Sequence, residues 1–127
     1  METMNLGAFS ISLAVKNLDA SMQFYNALGF EQMGGNVAEK WVILKSPDDH
    51  VIGLFEGMFE QNIMTFNPGW RQDGSPLDEY TDVRALQQKL RANGIEIQNE
   101  ADEASTGAAS FMVTDPDGNA ILVDQPR

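Results

Sequence analysis

Along the first sixty residues the hydrophobic positions change their period in a readable order. Phe9, Ile11, Leu13 and Val15 alternate with Ser10, Ser12 and Ala14. Strand side chains point to opposite faces in turn, so this is a strand with one core face and one small, polar face. Leu18, Met22 and Tyr25 then recur at helical spacing, with Phe24 and Leu28 widening the stripe. Asn17 or Asp19 caps the start of that helix, and Gly29 stands where a left-handed residue ends it. Extended patterns follow at Phe30–Met33, Trp41–Leu44 and Val51–Glu56, divided by Gly34-Gly35 and by Pro47-Asp48-Asp49. The first half is therefore predicted to be β-α-β-β-β.

The second half repeats the plan. Asp82 caps a helix carrying Val83, Leu86 and Leu90 on one face, and the interval from Asp82 to Gly94 equals that from Asn17 to Gly29. Each glycine is followed by an apolar residue and a glutamate, Phe30-Glu31 and Ile95-Glu96. This is an internal duplication. Ile95–Ile97, Ser110–Val113 and Ala120–Val123 match the three strands that follow the first helix, and Asp115-Pro116-Asp117-Gly118 makes the turn of the last hairpin. Symmetry breaks before the second helix, where Gly74–Thr81 contains Pro76 and acidic residues. Asn62–Asn67 is the better strand, which leaves an inserted loop over 68–81 carrying Trp70 and Arg71. Residues 1–127 are read as one domain, with module one over about 7–57 and module two over about 61–127.

Composition narrows the function classes. A chain of 127 residues with 43% hydrophobic content can bury one ordinary core. It has no cysteine and a single histidine, His50, which excludes a disulfide framework, a thiolate site and a multi-histidine cage. A net charge of −11 argues against nucleic acid as a partner. No apolar run approaches the length of a membrane span, so a cytoplasmic protein without membrane contact is expected.

The segment Ser10-Ile11-Ser12-Leu13-Ala14-Val15-Lys16-Asn17-Leu18-Asp19, continuing through Phe24-Tyr25 to Leu28-Gly29-Phe30, and the closing Asp115-Pro116-Asp117-Gly118-Asn119 carry a resemblance. They resemble the vicinal oxygen chelate superfamily, which includes glyoxalase I, bleomycin-resistance proteins and extradiol dioxygenases. The resemblance covers nearly the whole chain. It implies an α+β fold in which two βαβββ modules form an open, curved, barrel-like mixed sheet with a concave pocket, as a homodimer.

Metal-dependent members place four His, Glu or Gln side chains on the concave face. Carried over by position, the first falls on Ser10, the second on Gly53 and the fourth on Leu122. The third falls on Ser75 by repeat spacing, or on Thr65 or Asn67 by the preferred strand. None is a strong divalent-metal ligand, so no metal and no other cofactor is expected. Glu56 alternates away from Gly53, and His50 is expected in a solvated turn. A serine nucleophile needs a base and an orienting partner; with the lone His50 in a turn, no catalytic residue is assigned.

The remaining pocket candidates are Ser10, Ser12, Trp41, Phe55, Thr65, Asn67, Trp70, Phe111, Leu122 and Asp124. An aromatic wall beside an acid suits a small aromatic or cationic ligand. The resemblance thus implies a binding protein of the bleomycin-resistance type. Its alternative is a metal-dependent lyase or isomerase of the glyoxalase I type with an altered ligand set. Phe24 and Phe30 are expected in the core, and Trp70 as a lid or a dimer contact.

Overall fold

The structure, a computed structural model, describes residues 4–127. The chain resolves into two compact units, Ser10–Ile63 and the residues up to Phe9 together with Met64–Arg127. Strand β1 (Ala8–Val15) is followed by helix α1 (Leu18–Ala27), β2 (Glu31–Asn36), a short 3-10 turn, β3 (Trp41–Lys45) and β4 (Val51–Glu56). Then come β5 (Ile63–Asn67), α2 (Val83–Ala92), β6 (Ala109–Thr114) and β7 (Ala120–Gln125). The fold class is α+β, and β5 lies where Asn62–Asn67 was predicted.

In the unit Ser10–Ile63 the strand order is β2-β3-β4-β1. The first and last strands pair in parallel and the other neighbours are antiparallel. Asn17 caps α1 by accepting a hydrogen bond from the Ala20 N–H at 3.0 Å. Leu18 buries with Val42, Leu44 and Leu54, joined by Leu13, Met22, Tyr25 and Phe30. Phe24 and Leu28, expected to widen the buried stripe, are each 61% exposed. The inward arc of a ten-residue helix is taken by Leu18, Met22 and Tyr25, so these two point to solvent. Glu56 ends β4 on the helix side, where its carboxylate accepts from the Leu18 N–H at 2.8 Å and pairs with Lys40 at 3.5 Å.

In the other unit the order is β5-β7-β6, with β5 and β7 parallel and β6 and β7 antiparallel. The parallel pairing of first and last strands therefore recurs, as the duplication requires. The predicted strand at 95–97 is reduced to one bridge between Gln98 and Met112. Asn99 adopts φ of 49°, which turns the chain out of the ladder, while Ile97 still packs on the core. That core is Val83, Leu86, Phe111, Val113 and Val123. Buried polar side chains tie α2 down: Gln87 accepts from the Ala101 N–H at 2.7 Å and donates to the Ala101 carbonyl at 3.1 Å. Among the described residues no helix is long and apolar enough to cross a membrane.

Candidate functional site

On the sheet of the unit Ser10–Ile63, the face turned away from α1 carries two rows across three strands. The first is Ser12, Gly53 and Ile43; the second is Ala14, Phe55 and Trp41. Ser10 and Ser12 are buried there. Trp41 and Phe55 lie parallel with ring centroids 6.0 Å apart, and Phe59 adds a tilted ring 5.3 Å from Phe55. The absence of a side chain at Gly53 makes this arrangement possible. A β-carbon there would stand 2.6 Å from Phe55 Cε2 and 3.2 Å from Ile43 Cδ1. Gly53→Ala is expected to rotate Phe55 off Trp41 at a cost of about 1–3 kcal/mol. A changed Trp41 emission spectrum with a lowered unfolding midpoint checks this; an unaltered spectrum would refute it.

In the other unit, the face opposite α2 carries Thr65, Leu122 and Met112 in one row, with Asp124 and Ser110 in the next. Thr65 is buried, and Asn67 Nδ2 donates to the Asp124 carbonyl at 2.8 Å. Asp124 is half-buried, and desolvation alone raises its carboxyl above the ordinary value of 3.8. Among the described residues no basic group pairs with that carboxylate.

Phe111 is not on this face. The antiparallel register sets it beside Val123, and it is fully buried against Val83 and Leu86 of α2. Met112 is the β6 residue that neighbours Leu122. Alternation marked Phe111 as facing one side, but its side was fixed by a partner strand that the local pattern does not specify.

Trp70 sits in the inserted loop, which folds on itself as a small hairpin. Arg71 N–H donates to the Ser75 carbonyl at 2.8 Å, and Leu77 N–H to the Gly69 carbonyl at 2.8 Å. Gln72 behaves as a strand mimic, accepting from the Phe9 N–H at 2.8 Å and donating to the Phe9 carbonyl at 2.6 Å. Arg127 donates to the Gly69 and Leu77 carbonyls at 2.7 and 2.9 Å, and its guanidinium stands over Trp70 and Tyr80. Sequence reasoning missed Arg127 and Gln72, whose partners are distant along the chain. A groove of about 780 Å³ runs between residues 4–8 and this loop. Trp70 is one of its lining residues, and its Nε1 is buried with no acceptor among the described residues; such an orphan costs about 1–3 kcal/mol.

His50 is exposed in the turn after β3, where its N–H bonds Ser46 Oγ at 3.0 Å. The positions given by resemblance to metal ligands thus hold Ser10, Gly53, Leu122 and, on β5, Thr65. Ser75 lies instead in the loop hairpin, where its hydroxyl donates to Asp73 at 2.6 Å. Among the described residues no three of His, Cys, Asp or Glu gather to hold an ion.

The family model described as Glyoxalase/Bleomycin resistance protein/Dioxygenase superfamily matches residues 7–123. No curated protein matches the chain. Among solved structures, it is similar to a glyoxalase/bleomycin resistance protein/dioxygenase superfamily member from Vibrio splendidus 12B01. That likeness has 20% identity and a TM-score of 0.62, covering 92% of this chain and 97% of the other. Methylmalonyl-CoA epimerase from Streptomyces coelicolor is similar at 19% identity and a TM-score of 0.57, over 91% and 94% of the two chains. The Mn(II)-bound glyoxalase from Novosphingobium aromaticivorans is similar at 19% identity and a TM-score of 0.52, over 94% of this chain and 38% of that one. This last likeness corrects the expectation that the fold works here without a cofactor: a protein of the same fold is solved with a divalent metal. The family match spans nearly all of β1 to β7, and this chain belongs to the Glyoxalase/Bleomycin resistance protein/Dioxygenase superfamily.

Proposed function

We propose that this chain binds a small aromatic or cationic molecule, with Asp124 of the unit that contains β5 to β7 as its counter-ion. The observation that carries the reading is the half-buried Asp124 carboxylate, which burial disfavours and no basic side chain among the described residues offsets. A ligand cation supplies the missing charge where water competes less than at an open surface. In the unit Ser10–Ile63 we propose the stacked, partly exposed ring of Trp41, with Phe55, as an aromatic surface of its own, whose contact with a flat or cationic group is worth about 0.5–2 kcal/mol. Thr65, Asn67 and Leu122 are the polar and small residues we propose to orient the ligand beside Asp124, and Ser10 and Ser12 those on the Trp41 face of the other unit.

Benzylamine and its neutral counterpart benzyl alcohol test the proposal by calorimetry. The amine is expected to bind at least ~10-fold more tightly, a difference of about 1.4 kcal/mol, and Asp124→Asn to abolish that preference. Equal binding of amine and alcohol would sink the reading. The pH dependence follows from the raised carboxyl. Lowering pH through the folded-state value, above 3.8, protonates Asp124 while the amine stays charged, so amine binding weakens. In the free protein the sign is opposite. The folded state holds this proton more tightly than the unfolded state, so the contribution to stability falls as pH rises from the unfolded value through the folded one. Asp124→Asn is therefore expected to raise the unfolding midpoint at pH 7 and to leave it unchanged well below both values.

A second reading, a metal-dependent lyase or isomerase with an altered ligand set, is favoured by the Mn(II)-bound relative. Stoichiometric Mn(II) retained after dialysis would support it. We further propose a homodimer, for which exposed Phe24 and Leu28 offer apolar area; light scattering on the eluted protein decides its mass.

A further inference from the structure

We infer that the Asp124 site takes a primary amine with a hydrocarbon body, not a quaternary ammonium: Ser110 holds the ammonium beside Asp124, and the body lies on Leu122 and Met112. This rests on Asp124 acting as the counter-ion, as proposed above, and brings in Ser110 and Met112 of β6. All four residues belong to the unit that contains β5 to β7. The antiparallel register sets Ser110 opposite Asp124 and Met112 opposite Leu122, so they form two successive rows on the face turned away from α2. Directly opposite side chains have Cβ atoms about 4.5–5.5 Å apart, near enough for one group to touch both the Ser110 hydroxyl and the Asp124 carboxylate. Both are also reachable. Each residue is only partly buried, and neither side chain has a hydrogen-bond partner among the described residues. The one buried side-chain polar atom left without a partner among those residues is Trp70 Nε1, so the Ser110 and Asp124 oxygens open to solvent. The strand beneath them is fixed, because Asn67 Nδ2 donates to the Asp124 carbonyl at 2.8 Å and the next residue, Gln125, is tied to the Val83 N–H at 2.8 Å.

The chemistry of these rows selects the kind of cation. A primary ammonium has three N–H donors. One points at the carboxylate in a charge-assisted hydrogen bond, a second at Ser110 Oγ, which has lone pairs to accept it, and the third stays in water. A quaternary ammonium has the charge and no donor, so it leaves both oxygens without a hydrogen bond where they are partly desolvated. Quaternary groups are recognised by cages of aromatic rings. The two rows in this unit hold Thr65, Leu122, Met112, Asp124 and Ser110, and no ring. Leu122 and Met112 lie two residues back along their strands, roughly 7 Å from the acid. That is the reach of a short carbon arm, and a hydrocarbon body placed there leaves water for an apolar surface. Met112 Sδ accepts from Asn99 Nδ2 at 3.5 Å, which restrains an otherwise adaptable side chain. The ligand class is thus a primary alkyl- or arylalkylamine.

Calorimetry of the full protein at pH 7 with three cations tests this: 2-phenylethylamine, its N,N,N-trimethyl derivative and methylamine. 2-Phenylethylamine is expected to bind at least ~10-fold more tightly than either of the others. The trimethyl compound lacks the donors and methylamine lacks the body. Ser110→Ala is expected to weaken 2-phenylethylamine about 5-fold and to leave the trimethyl compound unchanged, a split that a merely structural role for Ser110 would not produce. The inference is overturned if the trimethyl compound or methylamine binds as tightly as 2-phenylethylamine, or if Ser110→Ala weakens both phenylethyl cations alike or neither. Should that happen while Asp124→Asn abolishes the binding, the counter-ion reading stands and this inference alone falls. Should no cation bind, or should Asp124→Asn change nothing, both fall. The three-cation comparison uses the parent protein, so it remains decisive if Ser110→Ala fails to fold.

Discussion

Phe111→Ala is expected to destabilise the protein by about 3–5 kcal/mol. Phe111 has no exposed surface and is the largest side chain among the fully buried ones, in contact with Val83, Leu86, Val113 and Val123. Truncation loses the transfer free energy of the ring and leaves a hole that β6, β7 and α2 cannot all close over, because each is held by its own hydrogen bonds. A loss of this size is a large part of the roughly 5–15 kcal/mol that a domain has in total. In urea the midpoint should fall while the slope stays constant, the mark of changed stability without changed compactness. Binding by the remaining folded protein is expected to be unaltered, since the ring faces α2. A loss below about 1 kcal/mol, or ligand affinity falling with stability intact, would return Phe111 to the pocket where alternation alone had set it.

Gln125→Leu ranks second, at about 2–4 kcal/mol. This side chain is 1% exposed and every polar atom is used. Its carbonyl oxygen accepts from the Val83 N–H at 2.8 Å, and its amide donates to Asp82 Oδ2 at 3.1 Å and to the Gly107 and Arg127 carbonyls at 3.2 and 3.1 Å. Leucine fits the volume but leaves the first-turn N–H of α2 unpaired in a dry place, which costs far more than the bond itself contributed. The change also reaches Asp82. Burial pushes that carboxyl upward, but hydrogen bonds from the Arg84 N–H, Gln125 and the Arg84 side chain outweigh it and hold the group below its ordinary value. A depressed acid contributes stability above its unfolded value and loses it as pH falls through the folded one. Gln125→Leu removes one of those donors, so its deficit relative to the parent should narrow on acidification below about pH 4. Thermal unfolding at pH 7 and pH 3 measures both effects; a deficit independent of pH would show that the Asp82 contact carries no weight.

These two residues also mark how far the letters can be read. In the sequence, Gln125 at the end of an apolar strand reads as a solvated terminus. Its partners Val83 and Gly107 lie far off in sequence, and only folding brings them to it. Trp70 reads as an oddity in a loop, yet the cation that covers it is Arg127, at the other end of module two. The turn of the last hairpin, by contrast, was legible, whereas Gly34-Gly35, read as a turn, lies within β2 and the chain turns at Val37–Glu39. Asp115 accepts from the N–H groups of Asp117 and Asn119 at 2.9 and 2.8 Å, closing the β6–β7 hairpin by contacts within five residues.

The sequence by itself determined the periodic elements, the duplicated order β-α-β and the family, because alternation, capping and glycine spacing act within a turn or a strand. The tertiary structure alone decided which side of β6 became core, that Phe24 and Leu28 face water, and that Asp124 is half-buried with no basic partner among the described residues. Each of those outcomes depends on strand register and on partners dozens of residues away, and burial is a property of the assembled sheet rather than of any segment within it.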